Sequence, residues 1–340
     1  RPTAPSSRPG SAFRTATREH AFVTLQHGAR IDAGSGVDHV ARLTRLTPGR
    51  HYPYTVGAGS GVLAAGTFRA APAGAARFTF AVVGDFGSGN DNEEAVASMI
   101  ESWHPDFVLT VGDNAYPLGA ATLLDRAIFG PYAAVMRASA WFPALGNHDV
   151  KANGGKPELE AFHSLGHERW YRFTWGNAAV VVLDSTVSVA SGSPQLRFAR
   201  SAFGLPSCFR FAAWHHPPWE PPGSSVSPGL RRTIVPLVQK HGVQVVFEGH
   251  LHAYARSRPH HGALYVAVGT GGAELDDDAV ARIVAADARF SRSRTRPSRS
   301  HAASASATAT GRAIIRSSPA TYRSNRSNRA ANGSACATIA

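Results

Sequence analysis

The chain has 340 residues, which is enough for about two domains of ordinary size. Its hydrophobic fraction of 43% and charged fraction of 17% are typical of a globular protein, and no apolar run approaches the roughly 18 residues that a membrane-spanning helix needs. The net charge of +12 is concentrated at one end, since residues 283–340 contain ten arginines and one acid and so account for +9 of it. Most of the excess positive charge therefore lies in residues 283–340, and the rest of the chain is only weakly basic. We expect no specific nucleic acid partner.

The first part of the chain predicts a lead-in followed by short strands. Residues 1–17 are rich in Pro, Ser, Thr and Arg, and we expect a flexible segment because they offer little apolar surface to bury. From about residue 20 to residue 67, short alternating segments are separated by Gly and Pro-Gly turns. This pattern predicts a small β-sandwich, which we place at residues 18–74.

One sequence segment in this region resembles a known structural motif. The segment LTRLTPGRHYPYTV resembles the corner of fibronectin type III-like domains, in which a tyrosine packs under the turn. Here that residue would be Tyr52 or Tyr54. The resemblance implies a small all-β domain, which we expect to be shorter than usual and truncated.

After Phe78 the pattern changes to apolar strands that alternate with helical periods, which is typical of an α/β fold. Strands are predicted at FTFAVVGD, FVLTVGD, WFPALGNHD, VVVLDS, FRFAAWHH, VQVVFEGH and ALYVAVG, and helices over residues 93–103, 120–137, 194–203 and 229–241. We place this domain at residues 76–275. Residues 283–340 form a low-complexity tract rich in Arg and Ser, which we predict to be disordered.

Five of the predicted strands end in polar residues. The first two lead to Asp85 and Asp113, and the later ones to Asn147-His148, His215-His216 and the pair His250 and His252. Because the carboxyl ends of strands form the ligand crevice of an α/β sheet, we expect these side chains to converge. Carboxylate and amide oxygens together with imidazoles suit a pair of hard or borderline cations. The sequence therefore predicts a binuclear metal site.

The blocks GDFG, GDNAY, GNHD, HHP and GHLH, in this order, resemble the five-block pattern of purple acid phosphatases within the calcineurin-like metallophosphoesterases. A single block recurs by chance in many proteins, whereas five in order at strand ends do not. The resemblance runs from residue 78 to about residue 272. It implies a β-sandwich flanked by helices (αββα) behind the small all-β domain, and a secreted or periplasmic protein.

The resemblance also implies a ligand set. Many members of the superfamily have Asp-x-His in the first block, whereas this chain has Asp85-Phe86-Gly87, so that Tyr116 would replace the histidine as a phenolate ligand of Fe(III). The ferric site would use Asp85, Tyr116, His252 and a bridging Asp113. The site of the divalent ion (Zn, Mn or Fe) would use Asp113, Asn147, His250 and His215.

Two residues of the GNHD block are candidates for catalysis. His148 follows a ligand and is expected to contact the phosphoryl group or to protonate the leaving group, and Asp149 is expected to orient it. Asn114 in the GDNAY block is predicted to face the substrate as well.

The last two blocks supply supporting residues. The family pattern His-x-Pro, with Pro217 setting the register, makes His215 the ligand and leaves His216 to face the substrate. Tyr254 and Arg256 follow GHLH and are predicted to support that loop, with ordinary packing as the alternative.

Three functions compete. The resemblance implies an acid phosphatase that hydrolyses small phosphomonoesters through attack by a metal-bound hydroxide at an Fe(III)-M(II) centre. A phosphodiesterase or nucleotide pyrophosphatase on the same metals is the second hypothesis, because the sequence does not give the shape of the pocket. A noncatalytic binding protein that uses the β domain is the third, and the complete ligand set argues against it. The sequence does not determine the oligomeric state.

Overall fold

The computed structural model describes residues 10–26, 28, 30–59, 61–162, 169–219, 227, 229–276 and 290–291. Within these ranges the strands are β1 (Gly10–Leu25), β2 (Arg30–Arg42), β3 (His51–Ala58), β4 (Gly61–Arg69), β5 (Phe80–Val83), β6 (Phe107–Thr110), β7 (Ala140–Phe142), β8 (Tyr171–Trp175), β9 (Ala178–Val182), β10 (Phe209–Ala213), β11 (Val245–Glu248), β12 (Tyr254–Ser257), β13 (Leu264–Val268) and β14 (Phe290–Ser291). The α-helices are α1 (Asp91–Ser102), α2 (Ala133–Met136), α3 (Lys156–Phe162), α4 (Pro194–Gly204) and α5 (Val235–Lys240).

The first four strands form one antiparallel sheet in the order β2-β1-β3-β4, where the sequence predicted two facing sheets. Residues 10–14 pair with residues 38–42, so the prediction of a flexible lead-in is wrong for residues 10–17, while residues 1–9 lie outside the described part of the chain. The hydroxyl of Thr15 lies 2.9 Å from Nε2 of His39, and both side chains are buried. Pairing of residues 10–14 with β2 therefore makes a strand of a segment whose own composition predicts no regular structure.

The two candidate tyrosines of the corner have different partners. The hydroxyl of Tyr52 accepts a hydrogen bond from the backbone N–H of Thr47 at 2.7 Å, so Tyr52 packs under the turn. The hydroxyl of Tyr54 donates to the carbonyl of Arg137 at 3.1 Å. Tyr54 thus joins the β domain to the segment that follows α2.

The described residues from Phe80 onward form two sheets that pack face to face. Strands β5, β6 and β7 make a parallel sheet, and the remaining strands make a mixed sheet in the order β14-β12-β13-β11-β10-β9-β8. The space between the sheets is filled largely by aromatic side chains, among them Phe80 and Phe107, whose ring centroids lie 4.8 Å apart. Helices α1 and α2 cover the outside of the small sheet, and α4 and α5 cover that of the large one. This four-layer arrangement confirms the predicted αββα fold.

The long helices begin at residues with capping chemistry. The side chain of Asn90 accepts a hydrogen bond from the backbone N–H of Glu93 at 3.0 Å, and Asp91 and Glu94 add negative charge to the first turn of α1. Ser193 caps α4 in the same way, and Pro194 occupies its first turn, where a missing N–H costs nothing.

Two predicted helices are interrupted in the structure. The segment expected over residues 120–137 contains a π-helical turn (Asp125–Phe129) followed by the short α2, with Gly130 and Pro131 between them. The segment expected over residues 229–241 contains a π-helical turn (Leu230–Ile234) and then α5, which begins with Val235-Pro236. Proline lacks the N–H donor and crowds the preceding turn, so the regular helical pattern shifts beside it.

One strand lies inside the tail that was predicted to be disordered. Strand β14 pairs antiparallel with β12, with Ser291 opposite Arg256 and Phe290 opposite Ser257. The prediction is wrong for these two residues, and the rest of residues 283–340 lies outside the described part of the chain. None of the helices in the described ranges has the length and apolar character needed to cross a membrane.

Candidate metal centre

The candidate site lies where the carboxyl ends of five parallel strands meet. In the small sheet, β5, β6 and β7 lead to Asp85, Asp113 and Asn147. In the large sheet, β10 and β11 lead to His215 and His250. The site therefore spans the edge of the sandwich and takes side chains from both sheets.

Three of these residues have a backbone conformation that is uncommon for residues other than glycine. The angle φ is +56° at Asp85, +52° at Asp113 and +69° at His250. Each such residue costs about 1–3 kcal/mol and persists only where its surroundings enforce it, and this kind of strain concentrates at functional sites. Here it coincides with the points where the chain leaves a strand and its side chain enters the site.

Two glycines of the blocks are required for close approach. A Cβ atom on Gly112 would lie 2.7 Å from Nδ1 of His215, and one on Gly249 would lie 2.7 Å from Oδ2 of Asp85. Both distances are shorter than carbon can tolerate, so any other residue would displace a site side chain. Gly112 also has a φ of +93°, which glycine alone adopts freely.

Four of the predicted ligands form one group of contacts. The phenol oxygen of Tyr116 lies 3.2 Å from Oδ1 of Asp85, 3.2 Å from Oδ2 of Asp113 and 3.0 Å from Nε2 of His252. Nδ1 of His252 lies 2.7 Å from the carbonyl oxygen of Glu274, to which it donates. In the neutral imidazole that bond leaves Nε2 with the lone pair that a metal ligand needs, and it faces this group.

Asp113 also belongs to a second group. Its Oδ2 lies 3.4 Å from Nε2 of His215, and Oδ1 of Asn147 lies 3.0 Å from the same nitrogen and 3.0 Å from Nδ1 of His250. His215 is fully buried, and its Nδ1 lies 2.8 Å from the carbonyl oxygen of Val111, to which it donates. The structure thus brings all seven predicted ligands together in two groups of four that share Asp113.

The charged groups of the site compete for protons. Burial alone would lower the pKa of His215, but the carboxylates of Asp113 and Asp85 raise it to about 10. Burial and the same two carboxylates raise the pKa of Tyr116 far above its ordinary value. Two adjacent carboxylates thus draw positive charge into a buried space, and in a metal site a cation takes the place of the proton.

The donor set fits a pair of cations. It offers two carboxylates, a phenol, an amide oxygen and three imidazoles, which suit hard or borderline metal ions. The donor atoms of Asp85, Asp113 and His215 lie within 4.8 Å of one another. The same holds for His215, His216 and His250.

His148 lies beside this centre. Its Nε2 is 4.0 Å from Oδ2 of Asp113, and its ring packs against that of Tyr116 with 4.5 Å between centroids. Its backbone N–H donates to Oδ1 of Asp113 at 2.8 Å, and its Nδ1 is 2.8 Å from the carbonyl oxygen of Pro117. The side chain therefore borders the shared carboxylate.

Asp149 does not orient His148, so that prediction is wrong. Its carboxylate is fully buried and accepts hydrogen bonds from the backbone N–H groups of Asn114 at 2.8 Å, Ala115 at 3.1 Å and Gly146 at 2.8 Å. A buried carboxylate is drawn to backbone donors that satisfy its charge. Asp149 consequently joins the loop after β6 to the loop after β7.

Asn114 is buried behind the centre, which contradicts the prediction that it contacts substrate. Its Nδ2 donates to Oδ2 of Asp149 at 3.1 Å, to Oε1 of Glu158 at 2.6 Å and to the carbonyl of Ala144 at 2.8 Å. Glu158, on α3, was missed in the sequence because an acid in the polar segment KPELE reads as solvated. Its burial depends on contacts that no local pattern reveals.

Asp149 and Glu158 form a buried pair of acids. Burial and the nearby Asp113 raise the pKa of Asp149 to about 7. Burial, together with the charge of Asp149, raises the pKa of Glu158 well above its ordinary value. Because backbone donors stabilise the charged form of Asp149, Glu158 holds the proton of the pair.

His216 borders the second group. Its ring centroid lies 4.5 Å from that of His250, and its Nδ1 lies 2.9 Å from Oγ of Ser185. Burial and the neighbouring His215 lower its pKa to about 3, so the ring is neutral. This position allows His216 to meet either a cation or a substrate oxygen.

Tyr254 and Arg256 lie on β12, beyond the GHLH block. Tyr254 is half-buried and packs against the core of the sandwich, while Arg256 is exposed. In the described ranges no hydrogen bond joins either side chain to the GHLH loop. Packing therefore describes Tyr254, and exposure to solvent describes Arg256, better than the predicted role of supporting the loop.

Comparison with known proteins agrees with the geometry. The family model described as calcineurin-like phosphoesterase matches residues 78–254, just over half of the chain. Purple acid phosphatase 15 of Arabidopsis thaliana is 22% identical over 289 residues, which cover 70% of this chain and 54% of the relative. A nucleotide pyrophosphatase/phosphodiesterase of Hordeum vulgare is 24% identical over 221 residues, which cover 50% of this chain and 58% of the relative. The chain thus spans about half the length of the curated relatives it matches.

A solved structure shares the fold. Purple acid phosphatase PPD1 from seeds of yellow lupin (Lupinus luteus) superposes with a TM-score of 0.71 at 17% sequence identity. The match covers 80% of this chain and 64% of the lupin chain. At this identity the similarity shows the fold alone.

Proposed function

Because the chain belongs to the calcineurin-like phosphoesterase family, we propose that it is an acid phosphatase that hydrolyses phosphomonoesters at a centre of Fe(III) and a divalent ion. The divalent ion would be Zn, Mn or Fe. The seven side chains that the structure brings together would hold the pair, with Asp113 shared. By the same resemblance we propose a secreted or periplasmic location.

The position of Tyr116 is the observation that carries the proposal. Its phenol oxygen lies within 3.2 Å of two carboxylate oxygens and 3.0 Å from an imidazole nitrogen. A neutral phenol has one proton to donate and cannot satisfy three acceptors at once. A highly charged cation bound by a Tyr116 phenolate and by these three groups would satisfy all four. Tyrosinate is the ligand that the family resemblance assigns to Fe(III).

The metal pair would supply an activated water and positive charge on the phosphoryl oxygens. Asp85, Asp113 and a Tyr116 phenolate contribute three negative charges, fewer than the five positive charges of Fe(III) and a divalent ion. The site therefore favours an anionic ester. His148, whose Nε2 lies 4.0 Å from the shared carboxylate, would bind a phosphoryl oxygen or give a proton to the leaving oxygen.

A phosphodiesterase or nucleotide pyrophosphatase on the same centre is the alternative, favoured by the barley relative of that name. The metal ligands would be the same, so the rates on p-nitrophenyl phosphate and on bis(p-nitrophenyl) phosphate decide between them. The third hypothesis, a noncatalytic protein that binds through its β domain, gives no reason for seven donor side chains to converge.

Metal analysis with a visible spectrum tests the proposal. We expect one iron and one divalent ion per chain and an absorption band from charge transfer between Tyr116 and Fe(III). Tyr116→Phe should remove the band, whereas Tyr54→Phe, a matched change outside the site, should keep it. A colourless protein with only zinc bound would contradict the ferric assignment, and a metallated protein without phosphatase activity would contradict the function.

A further inference from the structure

The segment that follows β13 is bonded to the backbone around Asp85. The backbone N–H of Gly271 donates to the carbonyl of Gly84 at 3.0 Å, and that of Ala273 donates to the carbonyl of Asp85 itself at 3.0 Å. Asp85 has a φ of +56°, a conformation that persists only where the surroundings enforce it. Residues 271–274, which we call the 271–274 segment, supply part of that enforcement.

The same segment is bonded to His252. The carbonyl oxygen of Glu274 accepts a hydrogen bond from Nδ1 of His252 at 2.7 Å, which fixes the direction of the ring. The 271–274 segment therefore contacts two members of the first group of four predicted ligands (Asp85, Asp113, Tyr116 and His252).

The second group of four has other supports. Among the described residues, no hydrogen bond of the 271–274 segment reaches Asn147, His215 or His250. The two groups stay joined through the shared Asp113 and through the backbone N–H of His250, which donates to Oδ2 of Asp85 at 2.9 Å. A displacement of the segment should therefore act mainly on the first group and to a smaller extent on the second.

Asn90 holds the middle of the segment. Its Nδ2 donates to the carbonyl of Gly272 at 3.0 Å, while its Oδ1 accepts from the backbone N–H of Glu93 at 3.0 Å and so caps α1. Gly272 has a φ of +147° and lies so close to α1 that a Cβ atom on it would be 2.7 Å from Cβ of Glu93. Any other residue at this position would push the segment away from the helix.

We propose that Asn90 and Gly272 are positioning residues, which hold the 271–274 segment against Asp85 and His252 and thereby set the affinity for one cation of the pair more than for the other. The inference rests on the proposed centre of two ions, and not on the identity of the ions or on the reaction. Removing a partner that orients a metal ligand typically lowers metal affinity about 10–100-fold. The affected ion is the one that the first group would hold.

Binding of Co²⁺ to the full chain tests the inference, because the visible spectrum of Co²⁺ depends on its ligands. His252→Ala and His215→Ala give the reference spectra for a weakened first and a weakened second group. In Gly272→Ala, the affinity for the ion of the first group should fall about 10–100-fold, and the spectrum at partial loading should match that of His252→Ala. Asn90→Ser keeps a capping oxygen but is too short to reach Gly272, so it should cause a smaller loss of the same ion.

Ser193→Ala is the control for lost stability. It removes the cap of α4, so it should lower the urea midpoint of unfolding and keep both Co²⁺ affinities. If Gly272→Ala does not fold, Asn90→Ser decides the matter.

Equal weakening of both ions, or unchanged affinities in Asn90→Ser, would overturn the inference. A wild type that binds fewer than two Co²⁺ would refute the centre and the inference together. A wild type that binds both ions and hydrolyses no phosphate compound would refute the proposed function alone.

Discussion

Asp149→Asn isolates the hydrogen bonds that hold two ligand loops together. The carboxylate accepts from the backbone N–H groups of Asn114, Ala115 and Gly146 and from the side-chain amide of Asn114. Asparagine keeps the size of the side chain but replaces one oxygen with an NH₂ group, so two buried donors lose their acceptor. At about 1–3 kcal/mol for each unsatisfied group, the free energy of unfolding should fall by about 2–6 kcal/mol.

The same substitution should weaken the metal site. Asp149 lies between the loop that carries Asp113 and the loop that carries Asn147, so losing its hydrogen bonds lets the spacing of the two side chains vary. We expect a lower affinity for the divalent ion, measured by competition with a chelator. Urea unfolding at pH 8, above the pKa of about 7 of Asp149, measures the stability of the same samples.

Glu158→Gln provides the matched control. Both residues are buried acids of the same network, but Glu158 holds a proton, and a neutral amide replaces a neutral carboxyl group with little loss. We expect its effect on stability to stay within about 1 kcal/mol, with unchanged metal affinity. Equal damage from the two substitutions would refute the assignment of the proton, and an unaffected Asp149→Asn would refute the role of Asp149.

Three further substitutions test separate parts of the site and of the fold. Asp113→Asn should lower the affinity for both metal ions in a chelator competition, because the amide brings no charge to the shared position. His148→Ala should keep both ions and lower kcat on an alkyl phosphate by about 10²–10⁴-fold, with a smaller loss on p-nitrophenyl phosphate; equal losses would remove His148 from proton donation. Glu93→Gln should match wild type at pH 4 and exceed its unfolding free energy at pH 8 by about 1–4 kcal/mol. Burial raises the pKa of Glu93 from 4.5 to about 8, so ionisation favours the unfolded chain as the pH rises between these values, and urea unfolding at both pH values measures it.

The layers of the fold and the convergence of the ligands could be predicted because each depends on a local pattern. Asp85 follows the apolar run FAVV, and His250 follows VVFE, so each polar residue marks the end of a buried strand. The αββα order is confirmed by the packing of helices on both outer faces. The assignment of Tyr116 as a ligand depended on the missing first-block histidine and stays a prediction.

What the sequence did not reveal depends on contacts between distant segments. The side chain of Thr15 is buried against that of His39, 24 positions later on the neighbouring strand, and no local pattern near residue 15 predicts that contact. From the sequence, the side chain of Asp149 could contact its neighbour His148 or the loop after β6. Only the position of that loop in the fold determines which of the two it contacts. Glu158 looks like a solvated acid in the sequence, yet it is buried and bonded to Asn114, 44 positions earlier.

The placement of donors on both sheets has a consequence for how the protein responds to metal. A bound cation pair would cross-link segments from residue 85 to residue 252 and so close the open edge of the sandwich. Metal binding then stabilises the folded chain, since a cation present at 100 times its dissociation constant adds about 2.7 kcal/mol to the free energy of unfolding. Metal binding and core packing are coupled in the opposite direction as well. Phe80 packs against Phe211 and Phe107 against Phe173 across the two sheets, so enlarging or trimming that core would change the affinity for metal without touching a ligand.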